Sequence, residues 1–152
     1  MQPDYIHDTS SLDTAVAYII QHTSRLLRFH LAKFFEQIET PISPEHWFLL
    51  FRLYDMPEQA QSELANRYLH DHPNITRLID ALEQRRLIQR MPDPADRRRT
   101  LVSLTEEGIR LMEHLLPLVV AERRRIFRGI SSAELHTLVT LLRHIERNLT
   151  GE

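Results

Sequence analysis

Arg97, Arg98 and Arg99 stand together between Pro92-Asp93-Pro94-Ala95-Asp96 and Leu101-Val102-Ser103-Leu104. Prolines and aspartates favour turns, and the apolar Ile88 and Met91 before them, with Leu101, Val102 and Leu104 after them, read as two strands. The arginines therefore lie at the tip of a hairpin. A guanidinium is always charged and carries a planar fork of donors that fits phosphate or guanine, so an exposed arginine tip beside a helix is a grip for nucleic acid. Alone, the same patch reads as a solvated turn. The segment before it changes that reading.

A short helix is expected from about Gln61 to Leu69, with Leu64, Ala65 and Tyr68 inward, then a tight His70-Asp71 turn and a second helix from Pro73 to about Arg86. This is helix-turn-helix spacing. In the second helix Ile75, Leu78, Ile79 and Leu82 follow the i, i+3, i+4, i+7 rule, which puts Arg77, Asp80, Ala81 and Gln84 on the opposite side and Asn74 and Thr76 on the flanks near the N-terminal end. Such an end offers free N–H groups and positive dipole to a phosphate, so Asn74, Thr76 and Arg77 are candidates for base and phosphate contacts. His72 sits at the same turn, where a plain helix-entry role is equally open. The competing reading of the helix is an ordinary surface element whose Arg77 pairs with Asp80 at i+3.

The elements that must position these residues follow from composition and periodicity. With 152 residues the chain is one ordinary domain, and three glycines with long 3.6-residue periodicity make it mainly helical with one small sheet. The absence of cysteine excludes disulfides, thiolate catalysis, thiolate zinc sites and cysteine redox sensing. No apolar run reaches the roughly 20 residues of a membrane span, and Asp4, Asp8 and Asp13 do not suit a signal peptide, so a cytoplasmic protein is expected. The formal net charge of −2 argues against a uniformly basic coat. Its distribution answers that objection in part: residues 61–105 sum to +2 and the remainder to −4.

A first helix carries an apolar stripe from Leu12 through Val16, Ile19, Ile20, Leu26, Leu27, Leu31, Phe34 and Ile38, with Ser10 or Ser11 as the expected cap and Asp13 in its first turn. It exposes more apolar surface than one small domain can cover. Ser43 caps a second helix with Pro44 at its first position, carrying Trp47, Leu50, Phe51 and Tyr54 until Pro57. Thr105 caps a helix that starts with Glu106 and Glu107 and runs to about Phe127, with a kink expected at Pro117. Gly129 ends it, and Ser131 with Glu134 makes a capping-box pattern for a last helix carrying Leu135, Leu138, Leu142, Ile145 and Leu149. Arg123, Arg124, Arg125 and Arg128 read as a solvated or intersubunit salt-bridging face. Nine histidines raise a metal site, with His22, His30, His46 and His114 beside Glu45 and Glu113, yet no ligand pair shares a helix face at metal spacing, so no metal and no cofactor are expected.

Three runs, Asp71-His72-Pro73-Asn74-Ile75-Thr76-Arg77-Leu78-Ile79-Asp80-Ala81-Leu82-Glu83, Pro92-Asp93-Pro94-Ala95-Asp96-Arg97-Arg98 and Leu101-Val102-Ser103-Leu104-Thr105-Glu106-Glu107-Gly108, resemble the recognition helix, wing and following helix start of the MarR family of bacterial transcriptional regulators. The resemblance spans nearly the whole chain. It implies a mainly α fold with a small β-hairpin wing: a winged helix-turn-helix DNA-binding lobe at 43–108 and a helical dimerisation region from the N- and C-terminal helices at 10–39 and 109–150, all within one domain, 1–152. It further implies an obligate homodimer, entry of Arg98 into the minor groove, and an Asp96 that fixes the wing by pairing with arginine. The family's ligand cleft among the first, second and fifth helices would here hold His22, Arg25, His46, Trp47 and Phe51, which suit a small aromatic or anionic effector, although Trp47 and Phe51 read equally as plain core. Two positions depart from the pattern: Ala60 where a capping threonine is frequent, and Arg86 where glycine is common after the recognition helix, so that this helix must leave either by a non-left-handed exit or by a strained one.

The expected function is that of a homodimeric transcriptional repressor on double-stranded DNA, binding a pseudo-palindromic operator and released by a small ligand, with no catalytic residues and no membrane partner. The competing classes are a metal- or ligand-binding helical enzyme and a helical interaction protein without DNA binding. The former lacks a nucleophile motif, a phosphate loop and metal spacing.

Overall fold

A computed structural model describes residues 15–67 and 72–151, and of residues 72 and 73 the backbone alone. The elements in order are α1 (Val16–Gln37), α2 (Pro44–Asp55), β1 (Gln59–Ala60), α3 (Gln61–Arg67), α4 (His72–Gln84), β2 (Ile88–Pro92), β3 (Thr100–Leu104), α5 (Glu106–Ile126) and α6 (Ser132–Thr150). The chain divides into two compact units, residues 1–112 and 113–152.

In the first unit, α1 begins at Val16 with an extended Ala15 in the capping position and no side-chain cap. The helix thus starts later than the Ser10 or Ser11 cap would place it, and Ser10, Ser11, Leu12 and Asp13 lie outside the described residues. Only Phe35 of α1 is buried, while Ile19, Leu26, Leu27 and Phe29 are exposed. At α2 the local signals act as expected. Ser43 Oγ accepts from the His46 N–H at 3.2 Å, and His46 Nδ1 accepts from the Ser43 N–H, so a histidine completes the capping box. Trp47, Leu49, Leu50 and Leu53 of α2 join Ile75, Ile79 and Leu82 of α4 among the fully buried residues.

The sheet has three strands in the order β1-β3-β2, all antiparallel. The two-stranded hairpin expected from the sequence is therefore incomplete: Gln59 and Ala60 pair with Val102 and Leu101 as a third strand. Ala60 is buried in that strand and directly precedes α3, so it is both a sheet residue and the residue in the capping position of that helix. Two residues are too short to leave a period-2 pattern. In the hairpin itself Ile88 faces Leu104 and Pro92 faces Thr100.

Arg86 settles the helix exit. It is left-handed at φ 60°, its N–H donates to Glu83 O at 2.8 Å, and the Leu87 N–H donates to Leu82 O at 3.0 Å. These are the two bonds of a Schellman stop, made with arginine in the position that favours glycine. The Thr105 N–H and hydroxyl donate to the carbonyls of Leu87 and Arg86, and Thr105 Oγ1 in turn accepts from the Gly108 N–H at 3.1 Å to cap α5. A Cβ on Gly108 would meet Leu87 O at 2.1 Å, so this close approach of α5 to the start of the hairpin requires glycine. The expected short helix is described through Arg67, and Tyr68, Leu69, His70 and Asp71 lie outside the described residues.

Helix α5 continues through Pro117 to Ile126, which leaves the Glu113 carbonyl without its i+4 donor. In the second unit Ser131 and Glu134 form the expected capping box, and α6 has no buried residue, with Leu138, Val139, Leu141 and Leu149 exposed. Arg123, Arg124, Arg125 and Arg128 are all exposed, and Arg125 pairs with Glu122 at 2.6 Å. Among the described residues no helix is long and apolar enough to cross a membrane.

Candidate nucleic-acid interface

Helix α4 buries Ile75, Ile79 and Leu82 completely and half-buries Leu78, which leaves Thr76, Arg77, Asp80 and Gln84 exposed. Arg77 does not pair with Asp80. Its Nη2 donates to Asn74 Oδ1 at 3.5 Å, one turn back toward the N-terminal end, while Asp80 is taken by Arg90. Asn74, Thr76 and Arg77 are thus gathered on the first turns of α4. His72 heads the helix, one residue earlier than the expected Pro73 start.

Arg90, which sequence reasoning did not single out, ties the hairpin to this helix. Its Nη1 and Nη2 donate to Glu83 and Asp80 of α4, each at 2.5 Å, and its Nε donates to Gln61 Oε1 at the start of α3, at 3.1 Å. Gln61 Nε2 then donates to Thr76 Oγ1 at 3.3 Å. The side chain is 22% exposed, so these bonds form at the edge of solvent rather than in a dry core. Both carboxylates of α4 are bonded to one residue of β2, which fixes the rotation of the helix against the hairpin. The i, i+3 spacing of Asp80 and Glu83 hinted at a shared cation. Nothing local pointed to Arg90, because the contact closes only when β2 is laid beside α4.

The three wing arginines have three different surroundings. Asp93 Oδ1 accepts from the Ala95 N–H at 2.8 Å, and the Asp93 N–H donates to Arg99 O at 3.0 Å, closing the loop. Asp96 Oδ1 accepts from both the backbone N–H and Nε of Arg98, each at 3.1 Å, yet the Arg98 side chain remains 91% exposed. Bonds from the Arg98 side chain, and then its backbone, hold the Asp96 carboxyl below the usual carboxylate range. Arg99 turns back instead, donating to Glu63 of α3 at 2.6 Å with Asp93 at 3.8 Å. Arg97 is exposed and has no partner among the described residues. The wing thus presents Arg97 and Arg98 outward and uses Arg99 to fasten itself to α3.

The five residues of the expected ligand cleft have different surroundings. Trp47 is fully enclosed, stacked on Phe51 with ring centroids 5.7 Å apart and edge-on to Phe35 at 6.0 Å, and its Nε1 has no hydrogen-bond partner among the described residues. His46 is occupied by the α2 cap. Burial, then the nearby Arg85 charge, hold its imidazole below its ordinary value, against a weaker opposing pull from Glu45. His22 stacks on Tyr18 of α1, ring centroids 5.8 Å apart. Arg25 alone lines an open groove of about 410 Å³ on α1, with Ile20, Gln21, Ser24 and Arg28, and Arg28 reaches Glu45 at 3.4 Å. Among the described residues no group of three or more His, Asp or Glu side chains is placed to hold a metal ion.

Residues 42–100 match the model of the MarR family. A probable transcriptional regulator from Pseudomonas aeruginosa is 29% identical, with 89% of this chain and 99% of that one covered and a TM-score of 0.71. Bordetella bronchiseptica BpsR, whose DNA binding is regulated by 6-hydroxynicotinic acid, is 27% identical over 86% of this chain and 92% of its own, with a TM-score of 0.71. A mutant MarR from E. coli complexed with operator DNA shares the fold at a TM-score of 0.75, 22% identical over 86% of this chain and 92% of that one. The matched segment runs from the buried Ile42 before α2 to Thr100 at the start of β3, and so contains α2, α3, α4, β2 and the wing tip. This winged helix-turn-helix segment is thus similar to that of the MarR family of transcriptional regulators.

Proposed function

We propose that the chain is a homodimeric repressor that acts in the cytoplasm, binds a pseudo-palindromic operator and is released by a small aromatic or anionic ligand. The observation that carries the DNA-binding half is the partition of charge: Asp80 and Glu83 on α4 are both paired with Arg90, whereas Arg97 and Arg98 point outward from the wing. An outward pair of arginines beside a helix whose carboxylates are held by Arg90 is complementary to a phosphate backbone. On this reading α4 enters the major groove with Asn74, Thr76 and Arg77 foremost and His72 at the backbone, Arg98 enters the minor groove, and Asp96 keeps the wing in shape.

Dimerisation is supported by α6, which buries nothing of its own, and by the exposed apolar residues of α1, since contiguous apolar surface on a monomer marks an interface. A two-fold dimer would read half-sites about one helical turn apart. The ligand half rests on Arg25 and Arg28 in the α1 groove, two guanidinium groups that suit a carboxylate or phenolate, and on the 6-hydroxynicotinic acid that regulates BpsR. Trp47 would then report on binding from the core rather than touch the ligand. An enzyme is not proposed.

The test is selection of duplexes from a random pool, followed by titration of the Arg77→Ala variant at fixed salt. Arg77→Ala should lose about 1–3 kcal/mol against the selected site and relax preference at one base position. Full affinity and selectivity in that variant would remove Arg77 from the interface, and failure to enrich any duplex would remove the function.

A further inference from the structure

We infer that Thr76 meets DNA as a hydrogen-bond donor, because Gln61, held in one orientation by Arg90, donates to the threonine oxygen and leaves its single proton facing outward. The inference rests on the proposal that α4 lies against DNA. It names the chemistry that the free proton selects: a hydrogen-bond acceptor, either a phosphate oxygen or an acceptor on a base edge.

An amide side chain can be turned end for end, so the direction of a Gln–Thr bond is ordinarily open. Here it is fixed from outside. Arg90 has donors only, so the end of Gln61 that meets Arg90 Nε at 3.1 Å must be the carbonyl oxygen. The opposite end is then the NH₂ group, which lies 3.3 Å from Thr76 Oγ1 and must donate to it. A threonine hydroxyl has one proton, and in a helix it is commonly spent on the carbonyl four residues back. Thr137 and Thr140 do this in α6, at 3.0 and 2.9 Å. Thr76 makes no such bond among the described residues, and its side chain is exposed. Its proton is therefore available to whatever approaches α4. Arg90 in turn cannot drift from Gln61, because Asp80 and Glu83 hold the other two nitrogens of the guanidinium.

Reversing the polarity of this relay tests it. Gln61→Glu keeps the bond to Arg90 but presents a carboxylate oxygen to Thr76, which pulls the hydroxyl proton inward. Gln61→Met is close in shape, has no donor and only a weak sulfur acceptor, and leaves the proton free. Each variant is titrated, in the natural Thr76 background and with Thr76→Val, against the duplex that the unsubstituted protein selects from a random pool. In the natural background Gln61→Glu should bind about tenfold more weakly than Gln61→Met, the size of one lost hydrogen bond. With Thr76→Val that gap should shrink to the part owed to the added negative charge alone. Thermal melts within a few degrees of the parent keep folding out of the comparison. If Thr76→Val also weakens binding to an unrelated duplex the acceptor is a phosphate, and if it weakens only the selected site the acceptor is a base. A Glu/Met gap of the same size in both backgrounds overturns the inference while leaving DNA binding intact. An unsubstituted protein that enriches no duplex overturns the reading beneath it.

Discussion

Removing each wing arginine in turn should separate those that meet DNA from the one that fastens the wing. Arg97 and Arg98 point outward, whereas Arg99 is 44% exposed and bonded to Glu63 at 2.6 Å. Each phosphate contact releases condensed counterions, so losing one flattens the plot of log affinity against log salt by about 0.9, or about 3.5-fold less change in affinity for each fourfold rise in salt. Arg97→Ala and Arg98→Ala should each show up to this flattening with most sequence preference kept. Arg99→Ala should leave the slope within error and instead loosen the wing from α3, at about 0.5–1 kcal/mol of stability for a partly exposed pair. The assay is fluorescence anisotropy with one labelled duplex at four salt concentrations, with a thermal melt of each variant. A slope change confined to Arg99→Ala, with Arg97→Ala and Arg98→Ala unchanged, would refute the assignment of roles within the triplet.

Asp96→Ala should weaken DNA binding although it raises the net charge, and a tighter complex would mean that charge rather than wing geometry governs. Because Asp96 is held below the usual carboxylate range, its contribution is complete above that range and is lost only as pH falls through the lowered value, which a carbon-detected NMR titration of the carboxyl would locate. Arg86→Gly should raise stability by up to about 1 kcal/mol, since glycine carries no penalty at φ 60°, and a lower melting temperature would contradict the strain assigned there. His46 must be neutral for Nδ1 to accept from Ser43, and its folded value is lowered. Stability should therefore be full above the ordinary imidazole value of 6.5 and fall as pH drops from there to the lowered value, and denaturant melts of His46→Asn should lack that step.

Features set by neighbours within one turn were legible from the residues alone. Ser43 with Pro44, Ser131 with Glu134, and Thr105 before Glu106 and Glu107 each signal a helix start through i, i+3 chemistry, and all three caps are present. The apolar spacing of Ile75, Ile79 and Leu82 fixed the inward face of α4 for the same reason. What escaped was long-range or too short to be periodic. Gln59 and Ala60 become a strand only because β3 lies 40 residues further on. Arg90 reads as one charge among many until β2 is set against α4, when it meets Asp80, Glu83 and Gln61 together. The division of Arg97, Arg98 and Arg99 into outward and inward roles depends on where Glu63 of α3 comes to rest. Trp47 could have been cleft wall or core by its type, and only its stacking between Phe35 and Phe51 places it inside.

The central claim is that this winged helix-turn-helix reads a specific duplex as a dimer. A mobility-shift titration at fixed salt, with DNA flanking the chain's own gene against an unrelated duplex of equal length, tests it most directly. The account predicts one retarded species holding two chains per duplex and a preference of at least about 10³ for the flanking site. Equal affinity for both duplexes, or a complex with one chain per site, would contradict it.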